Sequence, residues 1–414
     1  MFRIVLVLTS LGVVQIGCGP KEQAPSILDT AASGDIHSED SPERPLLTDP
    51  NEVKVALLKA VADDVIVPTL VEFESKAGLL AEATDAYASD LTEEKLQAAQ
   101  EAWRAAMAVW QKAEVMQIGP AGVMGDVLGG DDVRDEIYSW PVTNECRIDQ
   151  ETLEDAHKLP ADLDKEGVNT RGLDAIEYLL FHPPSGNGCK INSGINENGT
   201  WKEMADEIPQ RQATYASVAA SLVYDEIETL VKRWQEAGGN YANTLKTAGD
   251  GSHIYSSVQE GLNAISDAMF YIEKTTKDMK LAEPLGYIGC DDETCPDAIE
   301  TPHGKFGKEA VIANLRGIDL IFHGGADPET SVGFYDLLVS YGATDLAEQM
   351  SSRLAGAIEA VEGINGTLDG ALEGDIESFE AAYTATREFT DLFKTQFLSV
   401  LDLEIPQRAA SDND

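Results

Sequence analysis

Apolar residues recur at helical spacing along most of this chain, and that periodicity constrains the fold more than any other feature of the sequence. Val53 and Leu57 begin such a pattern, and Trp103, Met107 and Trp110 share one stripe of a later run. No segment shows the convincing alternation of apolar and polar residues that marks a half-buried strand. The sequence therefore predicts an all-α fold built from helical bundles.

Some helix ends can be predicted from local chemistry. Thr92 has the character of an N-cap, since Glu93 and Glu94 follow it in the first turn. Pro68 predicts a kink or break in the first helical run. The further helical runs are predicted at Arg211–Trp234, Ile254–Leu281, Phe334–Ile364 and Ile376–Val400.

A short internal repeat indicates how the bundles are arranged. The six residues Arg171–Ile176 recur as Arg316–Ile321, and four of the six positions are identical. We expect each copy to follow a long polar loop and to open an apolar helix. This pattern favours a duplicated bundle, with bundle one at about residues 51–240 and bundle two at about 241–405.

The charge of the chain restricts its ligands. With 73 acidic residues against 30 basic ones, the formal net charge is −43. Such a charge repels phosphate backbones, so nucleic-acid binding is excluded, and any charged ligand is expected to be a cation. The alternative explanation is a solvated surface that keeps the protein soluble.

The N-terminus resembles a lipoprotein signal peptide. Arg3 precedes an apolar run that is too short for a permanent membrane span, and Gly17-Cys18 resembles the end of a lipobox, although Gln15 replaces the usual Leu. We expect residues 1–18 to be the signal segment, Cys18 to be lipidated, residues 19–50 to be a disordered acidic tether and residues 406–414 to be a polar tail. The membrane is then a partner through the lipid anchor. The protein would lie in the periplasm or at the cell surface, with the outer membrane favoured because Gly19 follows the cysteine.

The remaining cysteines fit an oxidising compartment. Of five cysteines, four remain once Cys18 is assigned to lipidation. Three pairings are open, and we expect Cys146 with Cys189 and Cys290 with Cys295. A zinc site is the alternative, but the sequence contains no Cys-x-x-Cys.

The segment Arg171–Phe181 carries the strongest candidate chemistry. Apolar residues surround this helix, so it is expected to be buried on nearly all sides. Asp174 and Glu177, three residues apart, then share a face. Buried carboxylates need a cation, a metal ion or hydrogen-bond donors.

This segment resembles the signature Gly-x-His-x-x-Glu of the imelysin family. Gly172 and Glu177 match the signature, and Asp174 stands where the family has His. Supporting similarities run in order through residues 51 to 405. They are Trp103, Arg104, Trp110, Glu114 and Gly119-Pro120, then Ile137–Pro141, then Glu283-Pro284-Leu285, and then the second helix opening at Arg316-Gly317.

The resemblance implies two helical bundles related by pseudo-symmetry, with the signature facing the cleft between them. It also implies a metallopeptidase class with relatives that serve in iron uptake in the cell envelope. This chain contains neither His-Glu-x-x-His nor His-x-x-Glu. Replacing His by Asp174 shifts the site toward oxygen ligation, which suits iron, manganese or calcium better than catalytic zinc.

Three further residues are candidates for a metal site. Glu114 is an acid on a predicted core face, and Asp319 and His323 are spaced i and i+4 on the second motif helix. Each also has a structural alternative. Glu114 could pair with Arg104 or Arg171, Asp319 could pair with Arg316, and His323 could cap the helix that ends at Gly324.

We therefore expect an imelysin-like envelope lipoprotein that binds a divalent metal ion, iron or a metal complex at the inter-bundle cleft, with iron-uptake proteins as partners. Asp174 and Glu177 are expected to lie near Arg316 or Asp319. The first alternative is a metal-dependent peptidase, which the missing His disfavours. The second is a structural or interaction lipoprotein in which Arg171 and Arg316 neutralise the carboxylates.

Overall fold

Helices form nearly all of the regular structure in the computed structural model, which describes residues 47–235 and 238–406. No β-strand occurs within these residues, so the all-α prediction is confirmed. The first ten α-helices are α1 Pro50–Ala60, α2 Val67–Ser89, α3 Glu93–Ala113, α4 Val133–Ile137, α5 Glu145–Glu154, α6 Pro160–Leu163, α7 Gly172–Phe181, α8 Gly194–Glu197, α9 Thr200–Glu203 and α10 Ile208–Trp234. The later ones are α11 Tyr241–Lys246, α12 Val258–Met269, α13 Gly307–His323, α14 Phe334–Ser340, α15 Thr344–Glu362, α16 Leu368–Gly374, α17 Ile376–Leu392 and α18 Leu398–Leu401.

Wider π-helical turns interrupt or extend this series at Val61–Ile66, Ile272–Ala282 and Phe393–Phe397. The first of them lies directly before Pro68, where the sequence predicts an irregularity. The chain stays helical from α1 into α2, because a wider turn accommodates the missing proline N–H without ending the helix. Such turns are frequent at functional sites.

The predicted helix ends are partly confirmed. The Thr92 hydroxyl accepts a hydrogen bond from the Lys95 N–H at 3.4 Å, as expected of an N-cap. The run predicted at Phe334–Ile364 is instead two helices, since α14 ends at Ser340 and α15 begins at Thr344. Gly342 between them has φ of +78°, a conformation that glycine adopts without strain.

The helices pack in two groups that share an interface. In the first group α2 lies against α3 and α10, and α7 packs on α3 and α10. In the second group α15 packs against α13 and α17, and the π-helical segment Ile272–Ala282 packs on α13 and α17. Helices α3 and α13 join the groups, and Gly317 lets them approach closely. A Cβ on Gly317 would lie only 2.5 Å from the Lys112 carbonyl oxygen.

The second copy of the repeat does not open a helix, so that expectation was wrong. Gly172 begins α7 with φ of +87°, whereas Gly317 lies inside α13, which begins at Gly307. The two Arg-Gly pairs therefore serve different purposes, a helix start in one case and close helix contact in the other. The duplication of the bundles and their boundaries remain a prediction.

Both predicted disulfides, Cys146–Cys189 and Cys290–Cys295, are present. Of the tryptophans expected to anchor the core, Trp103, Trp110 and Trp234 are buried, whereas Trp140 is only partly buried against it. No helix among the described residues is long and apolar enough to span a membrane. The predicted signal segment, with Cys18, residues 19–46 of the predicted tether and all but the first residue of the polar tail lie outside the described residues. The last residue assigned to the tether, Pro50, instead begins α1.

Candidate functional site

Helix α7 holds the motif carboxylates in the interior. Every residue from Gly172 to Leu180 is buried, which confirms the prediction for this helix. At its start, a Cβ on Gly172 would lie 2.8 Å from the Ile137 carbonyl oxygen and 3.0 Å from Asp174 Oδ1. Glycine is therefore required for both the backbone conformation and the close contact.

Uncharged groups hold Asp174. The Ser139 hydroxyl donates a hydrogen bond to Oδ2 at 2.7 Å, and the Thr143 hydroxyl donates a second. The other oxygen, Oδ1, is buried without a hydrogen-bond partner. Burial raises the pKa of Asp174, and the two hydroxyls together with the backbone N–H groups of Asp174 and Ala175 oppose this only in part.

Glu177 reaches the loop that precedes α13. Its Oε1 accepts hydrogen bonds from the backbone N–H groups of His303 and Gly304, at 2.9 and 2.7 Å. Burial raises the pKa of Glu177 to about 7, although both hydrogen bonds and the neighbouring His303 act to lower it. A carboxyl with this pKa exchanges a proton near neutral pH.

These contacts correct the expected surroundings of the two carboxylates. Arg171, at the start of α7, instead forms ion pairs with Glu136 and with Asp164. Arg316 is largely exposed and pairs with Glu362 at 2.6 Å. Neither arginine neutralises Asp174 or Glu177. Uncharged donors hold both carboxyls instead, and burial raises the pKa of each.

His303 brings an imidazole to the motif helix. Its Nε2 lies 2.7 Å from Glu145 Oε1, while its backbone N–H contacts Glu177. Burial lowers the pKa of the His303 imidazole, but the hydrogen bond and charge of Glu145 outweigh it, so the pKa lies above the usual value. The His182 ring lies 5.2 Å from the His303 ring between centroids, and stacks on Tyr178 at 4.7 Å.

Asp149 completes this end of the site. It accepts hydrogen bonds from the Tyr178 hydroxyl at 2.8 Å and from the Gly188 N–H at 2.7 Å, next to the disulfide at Cys189. Burial raises the pKa of Asp149 to about 7, against the effect of both hydrogen bonds. Asp149 itself lies on α5. The Cys146–Cys189 disulfide therefore fixes the loop that carries Gly188 to this helix.

Two ion pairs with buried carboxylates adjoin Tyr138. Glu114 pairs with Arg134 at 3.0 Å, and Lys280 pairs with Glu300 at 3.0 Å. The Tyr138 hydroxyl donates to Glu300 at 2.8 Å, and Tyr138 also experiences the charges of Asp174 and Glu177. The alternative partners expected for Glu114, Arg104 and Arg171, were wrong. Arg104 instead donates to the Gly304 carbonyl oxygen.

We call this set the acidic centre, and its members are Glu114, Asp174, Glu177 and Glu300 with Arg134 and Lys280. The set holds four carboxyls and two basic side chains, so full ionisation would leave an excess of negative charge. One oxygen each of Glu114, Asp174 and Glu300 is buried without a hydrogen-bond partner. The centre therefore favours an additional cation or bound protons.

Asp319 and His323 belong to a different place. His323 Nδ1 lies 3.0 Å from Asp319 Oδ1, and His323 Nε2 lies 3.2 Å from the Ser351 hydroxyl. No hydrogen bond or ion pair within residues 47–235 and 238–406 joins them to Asp174 or Glu177. Asp319 does not pair with Arg316, since its partner is His323 on the same helix.

Sequence reasoning missed the residues that surround Asp174 and Glu177. These residues carry only weak local signals in the sequence. Glu145 and Gly188 each precede a paired cysteine, and His303 lies in the Gly-containing loop before α13. Lys280 lies in the π-helical segment Ile272–Ala282, where an amphipathic pattern hides a buried charge.

An all-helical fold with a buried centre rich in carboxyls defines the class of protein. The family model described as imelysin, Peptidase_M75, matches residues 66–393, and the chain belongs to the imelysin family. The "Iron-regulated protein A" of Synechococcus elongatus is 23% identical over 306 residues, covering 73% of this chain and 74% of that protein.

Two solved structures have a similar fold. One is a putative iron-regulated protein A precursor from Parabacteroides distasonis, with TM-score 0.65 and 18% identity, covering 88% of this chain and 97% of that one. The other is an imelysin-like protein from Psychrobacter arcticum, with TM-score 0.64 and 18% identity, covering 85% of this chain and 96% of that one. At this identity the similarity establishes the fold alone.

Proposed function

We propose that this protein is a metal-binding member of the imelysin family that acts in the cell envelope, in a process linked to iron uptake. The observation that carries the proposal is the excess of buried carboxyls over basic side chains in the acidic centre. A bound cation would offset that excess charge. The name of the Synechococcus elongatus relative, iron-regulated protein A, supports iron.

Asp174 and Glu177 are the proposed metal-binding carboxylates, as the sequence motif suggests. His303 is a neighbouring imidazole, since its backbone contacts Glu177 and its ring contacts Glu145. Oxygen donors with one imidazole suit iron or manganese. Glu114 is already paired with Arg134, so its role would be to set the charge of the centre.

Metal content of the full mature chain tests this proposal. Purified protein should bind Fe²⁺ or Mn²⁺ in anaerobic titration calorimetry, and Glu177→Gln and Asp174→Asn should each weaken binding at least tenfold. Gln at position 177 can still accept both backbone hydrogen bonds, so the fold should survive. The matched control is the double variant Asp319→Asn with His323→Asn, which should bind as wild type does. Unchanged affinity in both motif variants would contradict the proposal.

The location in the envelope rests on the N-terminal sequence. We propose that the mature chain begins at a lipidated Cys18 and is anchored in the outer membrane. Mass spectrometry of the membrane fraction should find an acylated N-terminal cysteine. An unmodified N-terminus at another residue would show that Gln15 prevents lipidation.

A metal-dependent peptidase is the second candidate, and one observation favours it. The pKa of Glu177 is raised to about 7 by burial, which suits a general base or acid at neutral pH. Proteolysis that requires metal and is lost in Glu177→Gln would establish this activity in place of simple binding.

A further inference from the structure

A second group of ligand side chains lies apart from the acidic centre. Glu151 of α5, His157 and Glu166 each offer a ligand atom, and these atoms lie within 4.8 Å of one another. His157 Nε2 lies 2.8 Å from Glu151 Oε2. Glu151 and His157 are buried, while the Glu166 side chain is 37% exposed and gives access from solvent.

Tyr215 adds a third oxygen, and thus a fourth candidate ligand atom, to this group. Its hydroxyl lies 2.7 Å from Glu151 Oε2 and 2.7 Å from the Thr170 carbonyl oxygen. A phenol has one proton and can donate it to only one of these two acceptors. The hydroxyl oxygen therefore lies 2.7 Å from its other acceptor with no phenol proton between the two oxygens.

His157 is also incompletely satisfied. Its side chain is 3% exposed, its ring packs on Tyr215 at 4.8 Å between centroids, and its Nδ1 has no hydrogen-bond partner. Arg147 contacts Glu151 through the other carboxylate oxygen, Oε1, at 2.6 Å. Arg147 is thus shared by the two glutamates, Glu151 and Glu166.

We propose that Glu151, His157, Glu166 and Tyr215 form a second metal site, selective for ferric iron. Two carboxylates and a phenolate are hard donors, and one imidazole completes a set that suits Fe³⁺ better than Zn²⁺. The Tyr215 hydroxyl lies 2.7 Å from Glu151 Oε2, so an ion bound to Glu151 would also meet the phenol oxygen. This site does not depend on the function proposed for Asp174 and Glu177.

Iron bound by a phenolate has a visible charge-transfer absorption band, which provides a readout specific to Tyr215. The full mature chain titrated with ferric citrate should develop that band. Tyr215→Phe should abolish the band, and Glu166→Gln should weaken iron binding at least tenfold. Glu166 is half-exposed, and its one ion-pair partner among the described residues is Arg147, at 4.0 Å, so its replacement should leave the fold intact.

Two controls separate this site from the acidic centre. Glu154→Gln, on the exposed end of α5, should leave both the band and the affinity unchanged. Glu177→Gln should also keep the band, because it lies in the other site. Absence of the band in wild type, or ferric binding unaffected by both Tyr215→Phe and Glu166→Gln, would overturn the second site.

Discussion

Lys280 and Glu300 form an ion pair, 3.0 Å between Nζ and Oε1, in which neither side chain exposes any surface. Burial lowers the pKa of Lys280, and the charges of Glu300 and Glu114 offset that effect only in part. Lys280 also donates hydrogen bonds to Gln111 and Asn314, at 2.7 and 2.9 Å. The pair therefore joins the π-helical segment Ile272–Ala282 to α3 and α13.

Removing one member of this pair should be strongly destabilising. We expect Lys280→Met to lower the free energy of unfolding by about 3–5 kcal/mol, because Glu300 would stay buried without its cation. Adding Glu300→Gln should recover part of the loss, since Gln can still bond to Tyr138 and Gln111. Urea unfolding of the single and double variants measures this, and equal losses in both would refute a charge effect.

Glu177 should make the stability of the metal-free protein depend on pH. Burial raises its pKa to about 7 in the folded state, so the folded protein retains a proton that the unfolded chain releases at lower pH. The favourable effect of the protonated carboxyl is complete below the unfolded pKa, about pH 4.3, and is lost as pH rises through 7.

Glu177→Gln should remove this dependence. At pH 8 the variant should be more stable than wild type by on the order of 3–4 kcal/mol, because the pKa of Glu177 is about 7 in the folded protein and about 4.3 in the unfolded chain. At pH 4 the two should unfold alike. Denaturant unfolding at both pH values, with a chelator present, is the measurement. A variant less stable at pH 8 would indicate that Glu177 is ionised and paired.

Gly317 should be required for the contact of α3 with α13. Gly317→Ala would place a Cβ 2.5 Å from the Lys112 carbonyl oxygen and 2.6 Å from Val115 Cγ2, forcing the helices apart. We expect a loss of about 1–3 kcal/mol. The control is Gly356→Ala inside α15, where an added Cβ would have no neighbouring atom within 4 Å. It should stabilise the protein by about 0.5–1 kcal/mol through helix propensity. Thermal unfolding should thus shift in opposite directions for the two variants.

The two disulfides should contribute unequally to stability. The Cys146–Cys189 bridge joins residues 43 apart and Cys290–Cys295 joins residues 5 apart. Loop-closure entropy then gives about 4 kcal/mol for the first and about 2 kcal/mol for the second. Unfolding of the double serine variants should show this order. The first variant should also loosen the Gly188 contact with Asp149, which faster hydrogen exchange at the Gly188 amide would report.

Local sequence patterns predicted much of this protein. The all-α fold, the N-cap at Thr92, the disulfide pairs and the burial of the motif helix follow from periodicity, turn chemistry and cysteine spacing, which act over a few residues or through covalent bonds. The predicted single helix at Phe334–Ile364 failed because the left-handed turn at Gly342 depends on one residue within an otherwise helical pattern.

Only the tertiary structure decided the partners of the buried charges. Asp174 is held by hydroxyls from residues 139 and 143, Glu177 by the backbone at 303 and 304, and Glu114 by Arg134. A helical pattern shows that such a carboxyl is buried but does not show which donor meets it. The contact from Glu177 to His303 spans 126 residues of chain, and the packing of α3 against α13 brings distant segments together. Periodicity is a local property, whereas the neutralisation of a buried charge depends on the side chains and backbone groups that the fold assembles around it.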